Sequence, residues 1–147
     1  MRQAERLLQT EIMVRLRHAP LAAVVIGSPN GIFIPARTPA ERELARRIVH
    51  QLKRGGQLTP GAADLLFLWT DGCGCIELKR PEVKQLFGKQ RRGSLSPDQI
   101  NFQGQCYRHG VPYEVCESWP EVREVLKSWG RLPADWLDPE NRIGRAA

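Results

Sequence analysis

Apolar residues near the start of the chain recur at a helical spacing. Leu8, Ile12 and Leu16 lie four residues apart, so residues 4–17 are predicted to form a helix with one buried stripe. Two polar residues fall beside that stripe on the same helical period, Glu5 and Gln9. A carboxylate in this position is either a first-turn residue favoured by the helix dipole or part of a functional site.

Capping sequences predict three more helices. Each begins after Ser or Thr, has proline at the first or second position and Glu or Gln at the third, and is followed by glycine. They start after Thr38, Ser96 and Ser118 and end near Gly55, Gly110 and Gly130. The first of the three is strongly basic, which indicates either a solvated face or a DNA contact. Its apolar side is Leu44, Ile48 and Leu52, and that of the last helix is Val122, Val125, Leu126 and Trp129.

Apolar runs between these helices predict four strands, at residues 21–27, 65–69, 73–79 and 111–117. The run at 65–69 is apolar throughout, as in a strand that is covered on both faces. The expected fold class is therefore α/β, with a central mixed sheet of about four strands flanked by helices.

Composition fits one ordinary domain. The chain has 147 residues, of which 41% are hydrophobic and 26% charged, enough for a core without disulfides. We expect residues 1–130 to form the domain and residues 131–147 to be a loosely ordered tail. Lys and Arg outnumber Asp and Glu by 22 to 16, and the net charge of +6 favours nucleic acid as a partner over an acidic membrane surface. With no membrane-spanning run or secretory signal, we expect a cytoplasmic protein of bacterial or phage origin.

The four cysteines and three histidines form none of the usual zinc or catalytic motifs. Cys73-Gly74-Cys75 lacks the gap of a zinc knuckle, so free thiols are expected. A thiol–metal sensor at Cys73 and Cys75 is an alternative that stoichiometric zinc would reveal. If the protein is an enzyme, its chemistry should therefore rest on carboxylates, lysine and a metal.

Three charged residues are predicted to meet at one end of a hairpin. If Asp71-Gly72 is a two-residue loop, Asp64 lies opposite Lys79, and Glu77 shares their face. Opposed or diagonal side chains would then lie about 5–8 Å apart. Two such carboxylates suit Mg²⁺, and the lysine can orient or deprotonate a water next to a phosphate.

The motif Glu-x-Lys occurs twice, and only its setting separates the two copies. Glu77-Leu78-Lys79 lies in a strand that faces Asp64, whereas Glu82-Val83-Lys84 follows a proline in a polar segment. The structural alternative for the first copy is an ion pair that merely ends the hairpin. Because charges at the ends of apolar strands are costly without a purpose, we favour a catalytic site.

The same residues resemble the PD-(D/E)XK nuclease superfamily, and more closely its VRR-NUC (virus-type replication–repair nuclease) group. The resemblance covers about residues 4–130, and Ala63 stands where the family often has proline. It runs in order through Glu5-Arg6-Leu7-Leu8-Gln9, Pro29-Asn30-Gly31, Gly61-Ala62-Ala63-Asp64, Ile76-Glu77-Leu78-Lys79, Leu95-Ser96-Pro97-Asp98-Gln99, Gly110-Val111-Pro112 and Trp129-Gly130. It implies a restriction-endonuclease-type core.

The resemblance also implies a metal-dependent catalytic site. Its catalytic residues would be Asp64, Glu77, Lys79, Glu5 and Gln99, and its metal ligands Asp64, Glu77, the Leu78 carbonyl and Glu5. The metal would be Mg²⁺, with Mn²⁺ able to substitute. Gln99 also occupies the third position of a capping box, which is a structural role in itself.

A basic segment follows the proposed catalytic strand. It is either a flexible, solvated loop or a loop that grips phosphates and becomes ordered on DNA. The predicted DNA-binding residues are Arg80, Lys84, Lys89, Arg91 and Arg92, with Asn30 from the turn after the first strand.

The expected function is Mg²⁺-dependent hydrolysis of phosphodiester bonds by a DNA endonuclease. Branched DNA, such as Holliday junctions and flaps, competes with linear DNA as the substrate class. We favour branched DNA, because small single-domain members of the family resemble junction resolvases, which act as homodimers. A catalytically silent DNA-binding module of the same fold is the alternative.

Overall fold

The computed structural model describes residues 3–28, 36–56, 59–80 and 94–139. Within these ranges the backbone forms four helices and four strands. In chain order they are α1 (Gln3–His18), β1 (Val24–Gly27), α2 (Pro39–Arg54), β2 (Leu65–Trp69), β3 (Gly72–Leu78), α3 (Pro97–Arg108), β4 (Tyr113–Cys116) and α4 (Trp119–Ser128).

The strands form one mixed sheet in the order β1-β2-β3-β4. β2 is antiparallel to both β1 and β3, and β4 runs parallel to β3. A parallel neighbour needs a long crossover connection, and α3 lies in the connection from β3 to β4. The predicted α/β class with a four-stranded mixed sheet is therefore confirmed.

The predicted caps start three of the helices. The Thr38 side chain accepts the Glu41 N–H, and the Ser96 side chain accepts the Gln99 N–H, each within a reciprocal capping box. Ser118 accepts the N–H of the third residue of α4. These bonds satisfy N–H groups that have no partner inside a helix, so the local sequence determines where the helices begin.

Helices cover the sheet on both faces. Leu65 and Phe67 of β2 pack on α1 and α4. The predicted stripe of α1 is buried, whereas in α4 Val122 and Leu126 are buried and Val125 and Trp129 are partly buried. The alternate strand positions, such as Leu66 and Cys75, pack on the opposite side with Cys106 of α3. Because side chains alternate across a strand, β2 and β3 contribute to two separate apolar clusters.

The repeated glycines of β3 make room for tryptophans. A Cβ at Gly72 would lie 2.7 Å from the Trp69 indole nitrogen, and one at Gly74 would lie 2.5 Å from the Trp129 ring. The two tryptophan rings lie 6.0 Å apart. The alternation of Gly with Cys in this strand therefore follows from packing on the α4 side.

In contrast, α2 buries none of its residues within the described part of the chain. Leu44 is 59% exposed and Ile48 36% exposed, although both lie on its predicted apolar side. Across the described ranges, none of the helices combines the length and apolarity needed to cross a membrane.

The β2–β3 hairpin turns one position earlier than predicted. Trp69 pairs with Gly72, so the two-residue loop is Thr70 and Asp71 instead of Asp71 and Gly72. A type I′ loop at Asp71-Gly72 needs positive φ at both residues, and no described residue other than glycine has positive φ. Gly72 instead lies in the strand against the Trp69 ring.

The predicted opposition of Asp64 and Lys79 is therefore wrong. Leu65 pairs with Ile76, and continuing this register by one residue sets Asp64 across from Glu77. The residue opposite Asp64 is thus two positions earlier in the chain than predicted. A shift of two residues keeps each side chain on its predicted face of the sheet. The two carboxylates still converge, and they do so as direct neighbours.

The core continues beyond residue 130. Leu132 is 3% exposed and belongs to the main apolar cluster, with Trp136 packed against it. The Trp119 indole donates a hydrogen bond to the buried Asp138 carboxylate. Residues 131–139 of the predicted tail therefore pack on the domain, and residues 140–147 lie outside the described ranges.

Candidate active site

Asp64 precedes β2 and is held at both its main chain and its side chain. Its carboxylate Oδ2 accepts the Leu78 N–H at 2.8 Å, and its carbonyl accepts the Ser28 N–H at 2.8 Å. The side chain is buried, and this burial raises its pKa to about 6. The hydrogen bond from Leu78 and the charge of Lys79 act against that rise.

Glu77 lies near the end of β3 and is only 1% exposed. Burial first, and then the charge of Asp64, raise its pKa to about 8. Its Oε2 is buried without a hydrogen-bond partner among the described residues. A buried carboxylate oxygen without a partner is costly, so a donor group or a cation bound at this atom would offset that cost.

Lys79 brings a positive charge to the two acidic side chains nearest to it. Its Nζ lies 3.4 Å from Glu77 Oε1 and 3.7 Å from Glu5 Oε1, and the residue is 8% exposed. Its main-chain N–H donates to the Cys116 carbonyl at 2.9 Å, which fixes the end of β3 against β4. Glu5, predicted as a site residue on α1, thus contacts the lysine.

Gln99 makes two side-chain hydrogen bonds, one within the capping box and one to Glu77. Its Oε1 accepts the Ser96 N–H at 2.8 Å, which completes the capping box of α3. Its Nε2 donates a hydrogen bond to Glu77 Oε1. One side chain therefore ends a helix and restrains a carboxylate of the site.

The first turn of α3 approaches the segment that carries Asp64 very closely. Gly61 has a φ of +72°, and a Cβ there would lie 2.2 Å from the carbonyl carbon and oxygen of Asp98. Only glycine accommodates both the backbone conformation and the contact. Gly61 thus lets Gln99 reach the strand that bears Glu77.

The donor set fits a small divalent cation. Among the described residues, no three His, Cys, Asp or Glu side chains form a ready metal group. Mg²⁺ does not require one, since it is commonly held by one or two carboxylates and completes its shell with waters and substrate oxygens. Asp64 and Glu77 supply two buried carboxylates, and Glu77 Oε2 has no hydrogen-bond partner among the described residues.

Two polar residues near this site were not assigned to it from the sequence. Gln9 Nε2 donates to the Asp64 carbonyl at 3.0 Å. Tyr113 is buried beside Cys75, and its hydroxyl has no partner within the described ranges. Burial and the charges of Glu77 and Asp64 raise the pKa of Tyr113. The signal for Gln9 was its place beside a buried stripe, whereas nothing local marked Tyr113.

Of the predicted DNA-binding residues, the structure describes Arg80. Its side chain is 47% exposed and lies 4.0 Å from Glu11. It lines a groove of about 490 Å³ whose charged lining residues are three arginines and three acids, namely Arg15, Arg80 and Arg123 with Glu11, Glu117 and Asp138. The predicted contacts at Asn30, Lys84, Lys89, Arg91 and Arg92 lie outside the described residues, as does the second Glu-x-Lys copy.

The four cysteines are free thiols. Cys75 is buried against Cys106 of α3, and burial raises the pKa of Cys75 to about 12. In the described part of the chain, no third His, Cys, Asp or Glu side chain joins Cys73 and Cys75 in a metal-binding group.

Comparisons of the chain with protein-family models, with curated proteins and with solved structures gave no match.

Proposed function

We propose that this protein is a Mg²⁺-dependent DNA endonuclease in which Asp64, Glu77 and Lys79 are the catalytic residues. The observation that carries the proposal is Glu77 Oε2, which is buried and has no hydrogen-bond partner among the described residues. A second buried carboxylate and a lysine lie next to Glu77. Buried like charges are unfavourable without a compensating cation. A bound divalent cation would compensate both carboxylates at once.

Asp64 and Glu77 are the proposed metal ligands, together with the Leu78 carbonyl. When bound, Mg²⁺ supplies a charge that activates a water and stabilises the negative charge that develops on a phosphate. The Leu78 N–H bond to Asp64 and the Gln99 bond to Glu77 hold the carboxylates in place before the metal arrives. Mn²⁺ would occupy the same oxygen ligands.

Lys79 is proposed to act on the reacting groups. Its ammonium is a compact donor that can bind a phosphate oxygen or orient the attacking water. Glu5, 3.7 Å from Nζ, restrains the lysine from the α1 side. In this proposal Glu5 contributes mainly through Lys79, and direct metal ligation by Glu5 is a secondary role.

The proposed substrate is DNA, and branched DNA in particular. The net charge of +6 supports a polyanionic partner, and Arg80 presents an exposed cation just after the catalytic lysine. Lys84, Lys89, Arg91, Arg92 and Asn30 remain predicted phosphate contacts. A homodimer would cut two strands of a junction together, and gel filtration tests that part of the proposal separately.

Cleavage assays with matched variants test the function. Wild-type protein with Mg²⁺ should cut at least one substrate in a panel of four-way junction, flap, single-stranded and duplex DNA. Asp64→Asn and Lys79→Met should each reduce the rate about 100-fold or more. Binding to the same DNA, measured with Ca²⁺ in place of Mg²⁺, should change little.

Glu82→Gln is the matched control, since it alters the second Glu-x-Lys copy and should leave cleavage unchanged. Full activity of either site variant would disprove the catalytic assignment. DNA binding with no cleavage of any substrate by the wild type would favour the catalytically silent binding module instead.

A further inference from the structure

A single glutamine on α1 connects three parts of the fold at the candidate site. Gln9 is half-buried one helical turn after Glu5. Its Nε2 lies 3.0 Å from the Asp64 carbonyl oxygen and 3.5 Å from the Ser28 carbonyl oxygen. The amide therefore links α1 to the end of β1 and to the residue that leads into β2.

The bonds to Asp64 come from different elements. The Ser28 N–H binds the same carbonyl oxygen at 2.8 Å, and the Leu78 N–H binds the carboxylate at 2.8 Å. Both of these donors belong to the main chain and persist whatever side chains are present. Gln9 supplies the contact that depends on the identity of a side chain.

Gly27, the last residue of β1, leaves space for this amide. A Cβ at Gly27 would lie 3.3 Å from Gln9 Nε2, which is tighter than a comfortable contact. The glycine and the glutamine thus fit each other at the point where α1 meets the sheet.

We propose that Gln9 is a positioning residue that holds the Asp64 backbone so that its carboxylate stays next to Glu77. The inference rests on the proposed function and extends it to a residue that touches neither metal nor substrate. Asp64 and Glu77 are both buried, and the β2–β3 register sets them across from each other, where two carboxylates this close repel each other. A restraint on the Asp64 main chain keeps the repelling pair together and ready for a divalent cation.

Mn²⁺ binding in the absence of DNA tests the inference. Gln9→Met has a similar length and no N–H donor, and it should raise the Mn²⁺ dissociation constant about 10-fold or more, as loss of a supporting hydrogen bond does at metal sites. Gln103→Met is the matched control, because Gln103 is a glutamine on α3 whose amide donates to the Tyr107 hydroxyl at 3.3 Å. Its Mn²⁺ affinity should equal that of the wild type.

A thermal-unfolding readout separates positioning from a structural role. If Gln9 only stabilises the fold, Gln9→Met lowers Tm equally with and without Mn²⁺, and the inference fails. If Gln9 positions Asp64, the rise in Tm produced by Mn²⁺ becomes smaller in the variant.

Two further results are decisive. If Gln9→Met does not fold, Gly27→Ala is measured in its place. The added methyl group crowds the Gln9 amide and should weaken Mn²⁺ binding. An unchanged Mn²⁺ affinity would overturn the inference. If Asp64→Asn binds Mn²⁺ as tightly as the wild type, the proposed metal site and the role of Gln9 both fail. Loss of affinity in Asp64→Asn with normal affinity in folded Gln9→Met overturns the role of Gln9 alone.

Discussion

The side-chain amide of Gln99 makes hydrogen bonds to two different elements of the fold. Its oxygen accepts the Ser96 N–H at the start of α3, and its nitrogen donates to Glu77 in β3. The capping box was readable from sequence, because it depends on residues that are three apart. The bond to Glu77 joins residues 22 positions apart, and only the folded chain brings them together.

Paired variants separate the two roles of Gln99. Ser96→Ala removes the side-chain cap and should cost about 0.5–2 kcal/mol of stability, measured by denaturant unfolding, with little change in cleavage rate. Gln99→Ala should cost a similar amount and also reduce cleavage and Mn²⁺ affinity. Equal effects of both variants on cleavage would mean that Gln99 matters only as part of the cap.

The carboxylates of the site predict an unusual pH dependence for the metal-free protein. Folding raises the pKa of Asp64 to about 6 and that of Glu77 to about 8, mainly through burial. A carboxyl group whose pKa is higher in the folded state binds its proton more tightly there, so its contribution to stability is greatest at acidic pH. That contribution is lost as the pH rises through 6 and then 8.

In EDTA, Tm should therefore fall between pH 5 and pH 9, and the fall should be smaller in Glu77→Gln, which cannot ionise. Added Mg²⁺ should restore Tm at the alkaline end. A wild-type Tm that falls no more steeply than that of Glu77→Gln would show that Glu77 does not titrate in this range.

At the level of elements, the sequence predicted which face of the sheet a residue of β2 or β3 occupies, but not which residue it pairs with on the neighbouring strand. The predicted loop at Asp71-Gly72 was wrong, yet Asp64 and Glu77 share a face as expected, because the register moved by two positions. Alternation is a local property of the backbone. In the observed register, Gly72 and Gly74 lie against the rings of Trp69 and Trp129, where a side chain would clash.

Gly61 tests how closely α3 must approach the site. Gly61→Ala adds a methyl 2.2 Å from the Asp98 main chain at a positive φ, so we expect a loss on the order of 3 kcal/mol or more and a fall in cleavage. Gly110→Ala is the control, because it has a φ of +69° with nothing within 4 Å. It should show only the backbone cost, about 1 kcal/mol. Equal losses of stability would contradict the close contact.

At the level of the whole molecule, residues 131–136 help to cover one face of the sheet. The Arg131 carbonyl accepts the Ala22 N–H at 2.8 Å, and the Arg131 guanidinium lies 5.0 Å from the Trp69 ring. Leu132 and Trp136 extend the same cluster. The Pro, Asp and Arg content of this segment had favoured a loose tail, because composition does not show which residues find a place in the core.

Truncations distinguish a packed segment from a loose tail. Ending the chain after Gly130 removes the buried Leu132 and the Trp119–Asp138 bond, and it should cost about 2–5 kcal/mol in urea unfolding. Ending it after Pro139 keeps both of these features, so this chain is the matched control. If the shorter chain were as stable as the longer one, the packing of residues 131–139 would contribute nothing to the free energy of unfolding.

The sequence by itself determined the starts of the three capped helices, the approximate places of the four strands and the α/β class, and it named the candidate residues Asp64, Glu77 and Lys79. These depend on periodicity and capping, which act over a few residues. Only the tertiary structure decided the hairpin register, the exposure of α2, the contact between Glu5 and Lys79 and the hydrogen bond from Gln9 to Asp64. Those features depend on side chains far apart in sequence that compete for the same space, and no local pattern records that competition.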